Sequence, residues 1–105
     1  NRVDSLIFHK KDKKFIGAIH YKIKSNELQM GKFISYKKYR SKKYGFEATK
    51  KWLEYAKNYF NSKNVFVITS KNNIPNIKLN KKLGFQVDKK KSGKKLWIKM
   101  IYQLV

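Results

Sequence analysis

The sequence predicts an α/β (α+β) fold in which two helices pack on a mixed, mainly antiparallel sheet, in the order β-β-β-α-β-α-β-β. Apolar residues alternate with period two near both ends of the chain, whereas residues 45–60 change to helical spacing. A continuous apolar run at 64–69 is typical of a strand that is buried on both faces. A chain of 105 residues has room for a single domain, which we assign to 1–105.

Three strands are predicted before the first helix. Residues 5–9 are a short apolar run, and residues 15–24 alternate apolar with polar side chains, so the polar segment between them predicts a hairpin loop. A third strand follows over 27–35. Gly31 lies inside it and would allow a bulge or a close backbone approach.

A helix over 45–60 is the strongest element of the sequence. Ala48, Trp52 and Ala56 recur at four-residue spacing and predict its buried face, and Glu47 lies near its N-terminus, where the helix dipole favours an acidic residue. The apolar run at 64–69 then predicts a central strand.

A second, shorter helix is predicted over 74–83. Asn73 is a candidate N-cap, Pro75 fits the first turn, and Gly84 supplies a left-handed stop. Two final strands, over 85–91 and 94–104, flank the turn-forming pair Ser92-Gly93.

The formal net charge is +21, from 25 Lys and only 2 Arg against 6 acidic residues. Arginine is the residue that reads guanine and clamps phosphates in a bidentate manner, so its scarcity argues against a dedicated nucleic-acid binder. We expect nucleic acid to bind only non-specifically. A basic surface would still attract a polyphosphate ligand by long-range steering.

The composition also limits the kinds of catalytic or metal site that the protein can have and its expected location in the cell. The absence of cysteine excludes thiol nucleophiles and Cys-ligated zinc, and with only His9 and His20 as imidazoles we expect no metal site. The sequence contains no apolar run of about 18 residues and no signal-peptide pattern at its start. We therefore expect a cytoplasmic protein without a membrane partner.

Two segments suggest ligand binding. Residues 39–48 form a basic loop at the start of the first helix, where Arg40, Lys42 and Lys43 surround backbone N–H groups and Gly45 allows a ligand to come close. An ordinary basic loop is the alternative.

In the second segment Asn73, Asn76 and Asn80 share one face of the short helix and offer amide groups to a ligand. The alternative is composition, because asparagine is common throughout the chain.

Element order and these two segments resemble the GNAT superfamily of acetyl-coenzyme-A-dependent N-acetyltransferases, in particular its RimJ/RimL-like branch. Arg40 and Gly45 match the family's phosphate-loop pattern, with Lys43 at the position of its first glycine. Asn73, Asn76 and the later Leu83-Gly84-Phe85 match the family's second pattern at every spacing. The resemblance covers about residues 5–104.

The resemblance implies that acetyl-coenzyme A is the acyl donor, bound with no metal. Its pantetheine arm would pair with the edge of the third strand, its pyrophosphate would lie on the N–H groups of the basic loop, and Asn73 would contact the amide arm. The implied binding residues are Phe33, Ile34, Ser35, Arg40, Lys42, Lys43, Tyr44, Gly45, Phe46, Asn73, Asn76 and Asn80.

The resemblance leaves catalysis unassigned. Asn80 occupies the position where many members carry a tyrosine as general acid, and an amide does not supply that proton. His20 and Glu27 are weak candidates for a catalytic base. Direct attack of an amine on the thioester is favoured, because no cysteine is available for a covalent intermediate.

Several alternatives remain open. The chain starts where the second strand of the family would be, so we expect it to lack the N-terminal elements that shape the acceptor site. A coenzyme-A-binding module that has lost catalysis is one alternative function, and a lysine-rich nucleic-acid-binding domain is another. The acceptor is a protein N-terminus, an aminosugar or another small amine, and a homodimer is also open.

Overall fold

The computed structural model describes residues 2–40, 42–89 and 96–104. Its strands are β1 (Val3–His9), β2 (Lys14–Lys24), β3 (Glu27–Ile34), β4 (Asn64–Ser70), β5 (Gln86–Val87) and β6 (Trp97–Gln103), and its helices are α1 (Tyr44–Tyr59) and α2 (Ile74–Leu83). A 3₁₀ turn, Lys37–Tyr39, lies between β3 and α1.

The strands form one sheet in the order β1-β2-β3-β4-β6-β5. Neighbouring strands are antiparallel except β3 and β4, which are parallel because α1 connects them across one face. The predicted fold class and element order are therefore confirmed.

Gly31 does not form a bulge, because the β2–β3 register is unbroken from Gly17 opposite Ile34 to Lys24 opposite Glu27. Instead the imidazole of His20, which is paired with Gly31, lies over its Cα, and a Cβ there would be 2.3 Å from the ring. The close contact at Gly31 is therefore with the side chain of His20 rather than with another backbone.

Both helices cover the same face of the sheet. Trp52 and Ala56 of α1 share one buried cluster with Leu28 of β3 and Met100 of β6, and Ile77 of α2 packs against that cluster. The helix α2 has the predicted bounds, and α1 begins and ends one residue before its predicted bounds. No helix among the described residues is long and apolar enough to cross a bilayer.

Of the strand expected over 85–91, the described residues form only Gln86–Val87, which pairs with β6, and one further bond runs from the N–H of Asp88 to the carbonyl of Lys99 at 2.8 Å. Residues 90 and 91 lie outside the described residues. Phe85 is not part of this strand, since its N–H donates to the carbonyl of Asn80 at 2.9 Å and so completes the end of α2.

Among the described residues the last strand begins at Trp97, and Leu96 before it is not part of the strand. The predicted start at residue 94 lies outside the described residues. The predicted turn at Ser92-Gly93 lies outside the described residues.

Candidate functional site

A cavity of about 610 Å³, here called the α1 cavity, lies between β3, the start of α1 and one side of α2. Eight of the twelve predicted binding residues line it: Phe33, Ile34, Arg40, Lys43, Tyr44, Gly45, Phe46 and Asn76. Its other lining residues are Ile7, Lys32, Tyr39, Leu79 and Lys82. The structure therefore brings the basic loop and the edge of β3 together around one space.

The start of α1 leaves backbone donors open. Lys43 precedes the helix in the left-handed conformation, with φ of 67°, and its side chain makes no capping hydrogen bond. The first bond of the helix runs from the N–H of Glu47 to the carbonyl of Lys43 at 2.9 Å. The N–H groups of Tyr44, Gly45 and Phe46 consequently have no partner within the helix, at the positive end of its dipole.

Lys43 takes the backbone geometry that the family's glycine would supply. A left-handed lysine is strained by roughly 1–2 kcal/mol relative to the right-handed region. In return its side chain lies at the wall of the α1 cavity, where it adds a positive charge. Gly45 has no such constraint, since it is helical and a Cβ added to it would meet no atom within 4 Å.

The charge around the α1 cavity is of one sign. Lys32, Arg40, Lys43 and Lys82 line it, and no Asp or Glu is among its described lining residues. Arg40 is held in place because its Nε donates to the carbonyl of Ile34 at 3.1 Å. Such a wall stabilises an anionic ligand.

The strands β3 and β4 pair over only three residues, ending at Gln29 opposite Phe66. Beyond that point a second space of about 230 Å³, here called the gap cavity, separates them. Its lining residues are His20, Gln29, Met30, Gly31, Lys32, Val67, Ile68, Thr69, Asn76 and Asn80. The two cavities share Lys32 and Asn76 as walls.

Backbone groups of β3 alternate between β2 and the gap. Ser35 donates its N–H to the carbonyl of Ile16 on β2 at 2.6 Å. Because the hydrogen-bonding groups of successive strand residues point to opposite edges, Ile34 and Lys32 present theirs toward β4, where pairing has ended. The predicted Ser35 and Phe33 thus direct their backbone to β2, and Ile34 directs its backbone to the open edge.

The three asparagines of α2 bond within the protein. Asn73 accepts the N–H of Asn76 at 3.4 Å through its side chain, which confirms it as the N-cap. Asn76 donates from Nδ2 to the hydroxyl of Thr69 at 3.1 Å. Neither Asn73 nor Lys42 lines either cavity, and Asn76 lines both.

Asn80 is fully buried, with 0% exposure. Its Oδ1 accepts a hydrogen bond of 2.9 Å from Nζ of Lys32, and its Nδ2 contacts the sulfur of Met100 at 3.9 Å. Because this amide oxygen is shielded from water and bonded to a charged donor, it holds the ammonium group of Lys32 in one position.

Lys32 was missed in the sequence, although it lies at the junction of the two cavities. Burial lowers the pKa of its ammonium from 10.5 to about 8. One signal was available, because period-two alternation places Lys32 on the same face of β3 as the buried Leu28 and Met30. In a chain with 25 lysines that signal does not stand out.

The two candidate bases have different surroundings. His20 lines the gap cavity, and burial, together with the charge of Arg2, lowers the pKa of its imidazole. Glu27 lies at the opposite end of β3 and pairs with Lys99 at 3.4 Å. It lines neither of the two cavities.

A polar cluster ties the β1–β2 loop to the start of α1. The N–H of Asp12 donates to Nδ1 of His9 at 3.0 Å, so Nε2 carries the proton and donates to the hydroxyl of Tyr44 at 3.0 Å. The hydroxyl of Tyr39 donates to the Asp12 carboxylate, and this bond lowers the pKa of Asp12 and raises that of Tyr39. Both tyrosines line the α1 cavity and are thereby fixed.

Within the part of the chain that the structure describes, no group of three or more His, Asp and Glu side chains could hold a metal ion. The chemistry of the two cavities comes instead from backbone N–H groups, cationic side chains and amides. Such groups bind phosphates and amide-rich chains and hold an acyl group for attack.

A family model described as an acetyltransferase (GNAT) domain matches residues 2–86. Among solved structures, a domain from Methanocaldococcus jannaschii DSM 2661 superposes with a TM-score of 0.82 at 24% identity, with 98% of this chain covering 67% of that one. No match was found among the curated proteins.

Two Vibrio cholerae structures share the fold. A protein assigned as a ribosomal-protein-serine acetyltransferase has a TM-score of 0.80 at 14% identity, with 98% of this chain covering 64% of that one. The spermidine N-acetyltransferase SpeG has a TM-score of 0.82 at 12% identity, with coverages of 98% and 66%. At these identities the similarity establishes the fold alone, and the chain spans 64–67% of the length of these three neighbours.

Proposed function

Because the chain belongs to the acetyltransferase (GNAT) domain family, we propose that it binds acetyl-coenzyme A and transfers the acetyl group to a primary amine. Attack takes place directly, in a complex that holds donor and acceptor together. The observation that carries this proposal is the open start of α1, where three unpartnered N–H groups face a cavity walled by four cationic side chains.

The residues of the α1 cavity fit the anionic part of coenzyme A in charge. The N–H groups of residues 44–46 would bind the pyrophosphate, with Arg40 and Lys43 as counter-charges. The N–H of Ile34 at the open edge of β3 would donate to the amide arm, while the carbonyl of Ile34 already accepts a hydrogen bond from Nε of Arg40. Coenzyme A supplies an activated acyl group when it is bound, and this chain's residues position it and exclude water.

The gap cavity is where we place the acceptor amine. It adjoins the α1 cavity through Lys32 and Asn76, so a group bound there would lie next to the end of a chain that runs along β3. Gln29 lines this space, and its side-chain oxygen is buried without a hydrogen-bond partner. A buried oxygen without a hydrogen-bond donor favours a ligand that donates a hydrogen bond, as an amine does.

The charges favour an acceptor of low basicity. No carboxylate is among the described lining residues of either cavity, and Lys32 brings a cation to their junction. A polyamine whose primary amines resemble lysine, with a pKa of about 10.4, would enter as a cation, whereas the α-amino group of a peptide, with a pKa of about 8, loses its proton easily. We therefore propose the N-terminal amine of a protein or peptide as the acceptor.

A transfer assay tests this function. The chain is mixed with acetyl-coenzyme A and either a peptide with a free N-terminal serine or spermidine, and the released thiol is measured at pH 7.5. We expect transfer to the peptide at least about tenfold faster than transfer to spermidine, in keeping with the difference in amine pKa. Equal or faster transfer to spermidine would contradict the proposed acceptor and leave acetyl transfer intact.

A coenzyme-A-binding module without catalysis is the second candidate. Asn80 favours it, because the residue at the family's tyrosine position is a fully buried amide. Calorimetric binding of coenzyme A with no thiol released in the presence of any amine would establish this alternative. Homodimer formation and a cytoplasmic location stay predictions.

A further inference from the structure

Lys32 has a position that no other lysine of the described chain shares. It lines both the α1 cavity and the gap cavity, between the space proposed for the acyl donor and the space proposed for the amine. Its side chain leaves β3 on the same face as Leu28 and Met30, which are buried. Its Nζ is held at 2.9 Å from Oδ1 of the fully buried Asn80.

We propose that Lys32, positioned by Asn80, is the general acid that protonates the leaving thiolate in acetyl transfer. This assignment rests on the proposed function, and it supplies the proton donor that Asn80 itself is not. Lys32 would be the catalytic residue, whereas Asn80 acts through it and is a positioning residue.

The step balances in atoms and electrons. The acceptor nitrogen forms a bond to the acyl carbon as the carbon–sulfur bond breaks, and the electron pair of that bond goes to sulfur. Lys32 gives a proton from Nζ to sulfur and becomes a neutral amine. The acceptor nitrogen releases its proton to water, and Lys32 then takes a proton from water, so that the ammonium is restored.

The chemistry of Lys32 matches this role. Its pKa of about 8 lies near that of a thiol, about 8.5, so proton transfer between the two groups is close to balanced. At pH 7 about nine-tenths of Lys32 still carries the proton.

None of the described ionisable groups around Lys32 is an anion that would neutralise its ammonium group. Among the described residues that line the two cavities they are His20 on β2, Tyr39 and Arg40 after β3, Lys43 and Tyr44 at the start of α1, and Lys82 on α2, and none is a carboxylate. These neighbours do not neutralise the ammonium of Lys32, so the lowered pKa is retained.

The first test compares Lys32→Arg with Lys22→Arg, in which the same change is made at an exposed lysine of β2. Arginine keeps the positive charge and can still donate to Asn80, but its guanidinium is too weak an acid to give up a proton. We expect Lys32→Arg to lower kcat by about a hundredfold with coenzyme A affinity within a few-fold of wild type. Lys22→Arg should match wild type.

The pH profile gives a second readout. Wild-type kcat should fall above pH 8 as Lys32 loses its proton, and Asn80→Asp should move that fall to higher pH, because a carboxylate beside Nζ stabilises the ammonium. A merely structural role for Lys32 would not shift the profile in this way.

A third readout does not depend on activity. Competitive labelling of the wild-type chain with acetic anhydride across pH, followed by mass spectrometry of the peptide that contains Lys32, measures the ionisation of this amine. Half-maximal reactivity should occur near pH 8, and coenzyme A should protect Lys32 and leave Lys22 reactive.

Three outcomes would overturn the proposal. One is a Lys32→Arg variant that retains wild-type kcat, which would leave Lys32 with a structural role only. Another is stable acetylation of Lys32 by acetyl-coenzyme A alone, which would make it an acceptor. The third is a wild-type chain that binds coenzyme A and transfers to no amine, and this outcome removes catalysis as a whole. Loss of coenzyme A binding itself would count against the proposed function first.

Discussion

Both helices follow a polar segment of the chain, but the backbone N–H groups at their starts differ in whether a side chain caps them. At the start of α1 the residue before the helix is a left-handed lysine without a side-chain cap, and three backbone N–H groups remain open toward a cavity. At the start of α2 the side chain of Asn73 caps the helix. The asparagines that follow bond to Thr69 and Lys32.

In the function we propose, this difference separates a ligand-binding helix start from a structural one. An uncapped helix start in water loses about 1 kcal/mol relative to a capped one, so leaving it open is useful mainly where a ligand completes it. The asparagine pattern of α2 matches the family's motif more completely than the loop before α1 does. Even so, Asn73 and Asn76, which carry the match, both bond within the protein. We therefore propose α1 as the element that binds the phosphates, whereas α2 contributes side chains to the cavity walls.

The largest expected effect is on ligand affinity at α1. Gly45→Val would place a branched side chain where the phosphate approaches, and it should not disturb the fold, because a Cβ at Gly45 meets no atom within 4 Å. Losing one or two charge-assisted hydrogen bonds, about 3 kcal/mol in all, weakens coenzyme A binding by about a hundredfold. Calorimetry measures the change.

Lys50→Val, on the exposed side of the same helix, is the matched control and should bind coenzyme A normally. Wild-type affinity in Gly45→Val would move the phosphate site away from the start of α1 and remove the contrast between the two helices.

Much of the fold could be predicted because its determinants are local. Alternating side chains give β2, helical spacing gives α1, and a cap and a stop delimit α2 at Asn73 and Gly84. The basic loop was found for the same reason, since its residues are neighbours in the chain. The strand expected over 85–91 was overextended, because the backbone bond from Phe85 to Asn80 is not visible in a pattern of apolar residues.

The part that could not be predicted depends on contacts between distant segments. Lys32 and Asn80 are 48 positions apart and meet only because β3 and α2 pack side by side. From the sequence alone, a lysine on a strand of such a lysine-rich chain would be interpreted as a solvated side chain. The side chain of Asn80 is fully buried and bonds to Lys32 rather than to a ligand. The sequence does not specify this burial.

An intermediate effect is expected on stability as a function of pH. Because the pKa of Lys32 is about 8 in the folded chain and about 10.5 when unfolded, the unfolded chain binds the extra proton between these values. The contribution of Lys32 therefore makes the folded state less stable as pH falls from about 10.5 to 8, by up to about 3 kcal/mol, and adds no further change below pH 8.

Lys32→Met should lose that pH dependence, whereas Lys22→Met should keep it, and denaturant unfolding at pH 7, 8.5 and 10 measures the difference. At pH 7 we expect Lys32→Met to be near wild type in stability, because relief of the buried charge is offset by about 1–3 kcal/mol for leaving Oδ1 of Asn80 without a donor. An unchanged pH dependence in Lys32→Met would mean that Lys32 is solvated.

The smallest effect concerns the cap of α2. Asn73→Ala removes the acceptor for the N–H of Asn76 and should lower stability by about 1 kcal/mol, a fall in Tm of about 4–8 °C for a chain of this size. Coenzyme A affinity should change by less than about twofold, since Asn73 does not line the α1 cavity. Asn72→Ala, at an exposed neighbour, is the control for Tm. A large loss of affinity in Asn73→Ala would restore Asn73 as a ligand contact.

The central claim is that the open start of α1 holds the phosphates, and backbone amide NMR tests it most directly. The ¹⁵N-labelled chain is titrated with coenzyme A, and the amide signals of Tyr44, Gly45 and Phe46 are compared with that of Ile74 in the first turn of α2. The account predicts saturable shifts at the three α1 amides, with little change at Ile74. Shifts at Ile74 with none at residues 44–46 would contradict it.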